Sequence, residues 1–191
     1  MAADYRYAVY YVPGPEHRLT GLANSLLGRE SESAQSLTQP SLAGCTPARL
    51  KAITAEPRRY GLHATLKAPF YLAPGCEEGD VVETAKSFAA AIAPFRLGGL
   101  RVRNISSFLA LVPAGRSDSD RVAERLRKLA GAALERFDHL RRPPTAEELA
   151  KRASRSLNAR QMAHLRQWGY PYVLEDYCWH LTLTGRMRDR E

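Results

Sequence analysis

The sequence predicts an α/β protein of the α+β type in which a strand, a helical excursion and a second strand occur twice. Three observations predict it. Tyr- and Val-rich runs end at Pro or Gly, amphipathic helical stretches lie between them, and two later strands alternate polar and apolar residues, each opening on His-x-Thr. The 191 residues, 45% apolar and 25% charged, suffice for a single bilobal domain with approximate lobes 1–100 and 101–191, related as a diverged duplication.

Taken in order, "YRYAVYYVP" (Tyr5 to Pro13) reads as a strand running into a Pro-Gly-Pro turn, and Leu19 to Leu27 as a short helix. Gly28 to Thr46, rich in Ser, Gln and Gly, reads as a loop. "TPARLKAITAEP" is a brief helix with Thr46 at the N-cap and Pro47 at the first helical position. "RRYGLHATLKAPF" (Arg58 to Phe70) is a strand, and "APGCEEGD" a turn. "DVVETAKSFAAAIAPF" is a helix that Asp80 can cap and Pro94 ends. "FRLGGLRVRNISSFLALVPAG" gives two strands broken near Asn104. Ser117 to Phe137 is a charged helix with Val122, Leu126, Leu129, Ala133 and Phe137 on one face. After a Pro-Pro break, "TAEELAKRASRSLNARQMAHLRQWGYP" is helical, with Thr145 and Glu148 spaced as a capping box. "YCWHLTLTG" closes the series as a strand.

Composition narrows the function classes. Cys45, Cys76 and Cys178 are odd in number and far apart, which supports neither a disulfide framework nor a zinc site. The start "MAADYRYAVYYVPG" lacks the positive charge of a signal peptide, and no window reaches membrane-spanning length, so a cytoplasmic protein is expected. Lys+Arg 28 against Asp+Glu 20, with arginine dominant, favours an anionic partner, although a high-GC genome produces the same bias without functional cause.

The two His-x-Thr strands carry the chemistry. Side chains at i and i+2 share a strand face, so His63, Thr65 and Lys67 line one side while Ala64, Leu66 and Ala68 line the other; His180, Thr182 and Thr184 repeat the pattern opposite Trp179, Leu181 and Leu183. Two such matches among five histidines arise by chance in roughly one case in a thousand. Two imidazoles facing one another form an acid-base pair near neutral pH, and threonine hydroxyls two residues on can donate to phosphate oxygens. That scheme cleaves a phosphodiester and requires neither metal nor cofactor.

These paired motifs resemble the two-histidine (2H) phosphoesterase superfamily. The surrounding wording, "RYAVYYVP", "PRRYGLHATLKAPF", "FLALVP" and "QWGYPYVLEDYCWHLTLTGRM", resembles a branch found with phosphonate-utilisation operons beside the carbon-phosphorus lyase system. The resemblance implies a bilobal fold, two antiparallel sheets facing across a central groove with outer helices. It implies catalytic roles for His63 and His180 and phosphate binding by Thr65 and Thr182. It implies a hydrolase opening a cyclic phosphodiester, on a ribose or nucleoside cyclic phosphate. Chains of that branch continue past the segment "LTLTGRM", after which Arg188 to Glu191 remain here.

Around the motifs, Lys67 could neutralise substrate phosphate or be a solvated strand lysine. Arg59 could reach an anion or form a surface ion pair, as could Arg58, and Tyr10, Tyr60 and Tyr177 could line the groove or simply pack. Trp179 has core parity. His17, His139 and His164 read as structural or exposed, and the basic stretch Lys151 to Arg166 as a solvated face. The expected partners are a small phosphorylated sugar or nucleotide, an RNA end, or phosphonate-utilisation proteins, with no membrane. The alternatives to the hydrolase are a non-catalytic nucleotide or RNA phosphate-binding module, an RNA 2',3'-cyclic phosphodiesterase or ligase-like RNA-processing protein, and a scaffold for the lyase machinery.

Overall fold

A computed structural model describes residues 5–114, 118–153 and 156–187. It is a mixed α/β structure with six α-helices and two small sheets among those residues. The chain forms two compact units, and they do not follow the division at residue 100. One comprises Met1–Tyr10, Thr65–Arg96 and Asp120–Trp179, the other Tyr11–Ala64, Leu97–Ser119 and His180–Glu191, so each draws on both halves of the sequence.

The first unit contains most of the sheet of β1 (Arg6–Tyr11) and β2 (Ala64–Tyr71) together with helices α3 (Glu78–Ala90), α4 (Asp118–Arg136), α5 (Ala146–Ala153) and α6 (Ala159–Trp168). Its core gathers Phe70, Val81, Phe137 and Leu140, with Tyr7, Val9, Leu72 and Phe88 packed against them. Phe88 and Phe137 meet edge to face at 5.8 Å, the arrangement that aromatic quadrupoles prefer. β2 is tied to the segment after α4 by backbone bonds from Ala73 N–H to the Leu140 carbonyl and from Arg142 N–H to the Tyr71 carbonyl, both 2.8 Å. α3 begins three residues earlier than a cap at Asp80 would start it. Glu77 holds the cap position, and Asp80, expected as the cap, instead accepts from Glu77 N–H at 2.8 Å. The predicted Thr145–Glu148 capping box is present, with reciprocal bonds of 2.7 and 3.2 Å. A second start follows at Asn158, whose side chain accepts from Gln161 N–H, so the basic stretch forms two helices.

The second unit holds α1 (Arg18–Leu27), α2 (Pro47–Ile53) and the antiparallel sheet β3 (Gly99–Ile105), β4 (Phe108–Ala114) and β5 (Leu181–Thr182). α2 starts as its sequence predicts, Thr46 accepting from Arg49 N–H at 3.2 Å. The β3–β4 hairpin turns between Ile105 and Phe108, with Ser106 at φ 60°. β5 is much shorter than the alternating stretch predicts, yet its alternation survives. Trp179, Leu181 and Leu183 are buried, while His180 and Thr182 are half-buried. Beyond Thr182 the Leu183 and Thr184 N–H groups both donate to the Leu109 carbonyl, at 2.9 and 3.2 Å, and Leu109 N–H donates in return to Thr184 Oγ1 at 2.9 Å, which explains why Thr184 is buried.

Candidate functional site

His63 and His180 lie in the same unit, one immediately before β2 and the other immediately before β5. The approach to His63 is set by Gly61, whose φ of +71° is costly for any residue with a Cβ and where an added Cβ would lie 2.5 Å from Ser31 Oγ. That conformation presents the Gly61 carbonyl to the ring, 3.0 Å from Nδ1. A carbonyl only accepts, so this bond places a proton on Nδ1 and leaves Nε2 as the basic nitrogen of the neutral ring. Burial pushes the His63 imidazole below its ordinary pKa. The Gly61 bond opposes this, and the His180 charge adds to it. Tyr60 meets the His63 ring edge-on at 6.3 Å, and Phe108 lies 5.5 Å from the His180 ring.

The Phe108 contact was not legible in the sequence. The signal available was that Phe108 opens the strand β4, which pairs with β5. Similarly, a glycine two residues before a histidine is the one sequence hint of the Gly61 partner.

The other expected residues fall in different places. Thr182 is half-buried on β5 opposite Ala110, in the unit that holds both histidines. Arg59 and Tyr60 are exposed in that unit, and the Arg59 carbonyl accepts from Arg29 at 3.1 Å. Arg58 acts as a strut, its guanidinium donating to the Leu27 and Lys51 carbonyls and to Thr54 Oγ1. Thr65, Lys67, Tyr10 and Tyr177 belong to the other unit. There the Tyr177 hydroxyl donates to the Thr65 carbonyl at 2.9 Å, and burial raises its pKa well above the ordinary phenol value.

Lys67 is not a solvated strand lysine. It is 2% exposed, and its ammonium donates to the Leu134 carbonyl at 2.9 Å and to Asp138 at 3.1 Å. The simple two-face alternation of β2 fails at this position because a salt bridge compensates the burial of the charge. Among the remaining histidines, His17 caps α1 by accepting from Leu19 N–H, and His164 is buried within 3.6 Å of Glu175 and Asp176. Among the described residues no group of three or more His, Cys, Asp or Glu side chains is placed to hold a metal ion, and no helix is long and apolar enough to cross a membrane.

Comparison with known proteins corrects the expected activity. The chain is similar to the "Ribose 1,5-bisphosphate phosphokinase PhnN" of Janthinobacterium sp. (strain Marseille), 42% identical over 95% of this chain and 39% of that protein. It is also similar to the protein of the same name from Laribacter hongkongensis (strain HLHK9), 38% identical over 95% of this chain and 40% of that protein. Both are named as kinases, which are transferases, and this overturns the expectation of a hydrolase opening a cyclic phosphodiester. Neither name supports an RNA partner. The chain spans about two fifths of the length of these relatives. No solved structure matches it. The family model described as "Protein of unknown function (DUF1045)" matches residues 65–191, a stretch that takes in β2 from Thr65 onward, the β3–β4–β5 sheet and His180, and the chain belongs to that family.

Proposed function

We propose that this chain recognises a phosphorylated ribose and moves a proton at it, as part of an enzyme of phosphoryl transfer in phosphonate metabolism. The observation that carries the reading is the pairing of His63 and His180 in one unit, with the His63 tautomer set by Gly61. His63, held below its ordinary pKa by burial, is a base at neutral pH, its Nε2 taking a proton from a sugar hydroxyl or phosphate oxygen. His180 is the second proton-handling group, and the Thr182 hydroxyl donates to a phosphate oxygen. The names of the relatives support the choice of substrate class, and the resemblance of the paired motifs to the two-histidine superfamily supports the roles of the histidines.

The test is a titration with ribose 1,5-bisphosphate, followed by the histidine ring resonances, beside a turnover assay with nucleoside triphosphate. Binding is expected to perturb both His63 and His180. In the full polypeptide, alanine at either position is expected to lower turnover by about 10²- to 10⁴-fold, the usual contribution of a positioned acid or base. Ring resonances that stay unmoved at saturating sugar bisphosphate, or undiminished turnover in both variants, would sink the proposal.

A further inference from the structure

We infer a second anion site, independent of the histidine pair, in the unit that contains β2, and we propose that it takes the phosphate group of a phosphate monoester. An open pocket of about 440 Å³ of non-atom space, part of it continuous with solvent, lies between β2, the segment after α4, and the C-terminal end of α6. Lys67, Arg141, Arg142 and Arg152 line it, against Glu148 as the one carboxylate of the lining. Asp138, which pairs with Lys67 and Arg141, leaves the cations in surplus.

The donor inventory asks for an external acceptor. Arg141 bonds Asp138 through Nε and Nη2, yet its Nη1 is buried with no hydrogen-bond partner in the chain. The indole Nε1 of Trp168, on the same pocket, is in the same condition. A buried donor without an acceptor is costly, and these two belong to one lining. Both residues line the pocket, so side-chain rotation on filling is the route by which either donor meets a ligand oxygen. Arg142 is held on the wall by its stacking over Tyr71 at 4.8 Å and is about a third exposed. A phosphate monoester fits this set better than a carboxylate, since it offers three oxygens and close to two charges.

Glu148 explains how the site is balanced. One of its oxygens accepts from Arg142 at 3.0 Å and the other from Thr145 N–H at 2.7 Å. Phosphate therefore competes with Glu148 for Arg142. Glutamine at this position keeps the capping box, for which Glu and Gln both serve, and removes the competing charge.

The experiment is calorimetric titration of inorganic phosphate, ribose 5-phosphate and adenosine 5'-monophosphate into the full chain and into Glu148→Gln, Trp168→Phe and Arg142→Gln. Each protein is also prepared with His63→Ala and His180→Ala together, so that binding at the histidines does not register. Glu148→Gln is expected to bind about fivefold more tightly, a gain that a damaged fold does not produce. Trp168→Phe and Arg142→Gln are expected to bind at least about tenfold more weakly. Tighter binding of ribose 5-phosphate or the nucleotide than of inorganic phosphate supports the site and assigns it an organic ligand, while equal binding supports it as a site for the phosphate group alone. The proposal is overturned if none of the three binds in the histidine-free background, or if Glu148→Gln leaves affinity unchanged or lowers it.

Discussion

Replacing Lys67 with methionine is expected to cost less than removing the carboxylate it is paired with. At 3.1 Å, with an effective dielectric near 20, the Lys67–Asp138 attraction is about 5 kcal/mol, and withdrawing an ammonium from water costs several kcal/mol, so the pair contributes little net stability. The two partners do not share this evenly. Burial pushes Lys67 below the ordinary lysine pKa despite Asp138, because the side chain is only 2% exposed. Burial also pushes the Asp138 carboxyl up, but the Arg141 hydrogen bond and the Lys67 charge outweigh it and hold the group below its ordinary value. Asp138 is 30% exposed and has two cations, whereas the ammonium has one carboxylate. Methionine fills a similar volume without charge and leaves Asp138 with Arg141, so Lys67→Met should lie within about 1 kcal/mol of the parent. Asp138→Ala strands a buried ammonium and should lose roughly 3–5 kcal/mol. Adding Lys67→Met to it should restore part of that loss. Urea unfolding at neutral pH reads all three. A Lys67→Met variant as unstable as Asp138→Ala, or a double variant no better than Asp138→Ala alone, would refute the reasoning. Because the folded pKa of Asp138 is depressed, its contribution is complete above the ordinary carboxylate value and is lost as pH falls through the folded one.

Phe137→Ala, at a site with 0% exposure, should lose about 3–5 kcal/mol in the same unfolding experiment. Thr184→Val keeps the shape of the side chain but leaves Leu109 N–H without its acceptor, so it should lose about 1–3 kcal/mol, with Thr184→Ser close to the parent. The His63 ring should titrate below the ordinary imidazole value of 6.5 in a proton NMR pH series, and His180→Ala should move that midpoint upward, because the His180 charge contributes to lowering it. A folded pKa below the unfolded one means that the stability due to His63 is complete above about pH 6.5 and declines as pH falls toward the folded value, which unfolding midpoints across that window will show.

Much of the local structure was legible because it depends on neighbours in the chain. The Thr46 and Thr145 starts, the strand stops at Pro and Gly, and the core parity of Trp179 follow from capping, ring geometry and alternation. The burial of Lys67 was not legible, since its partner Asp138 lies 71 positions away and no periodicity reports it. Asp80 was misread only in role, since Glu77 and Asp80 can each accept a backbone N–H at the start of α3 and the spacing does not say which comes first.

The amino-acid order alone determined that there are two His-x-Thr segments, each with an apolar face, and therefore which side chains are available for proton transfer. Tertiary structure decided which of them belong together. His63 and His180 enter one compact unit, while Thr65 and Lys67, only two and four positions further on, enter the other. The reason is that hydrogen-bonded ladders and buried contacts between distant segments outweigh adjacency along the chain. β2 is tied by backbone bonds to the segment after α4, and β5 pairs with β4, whatever precedes them in sequence.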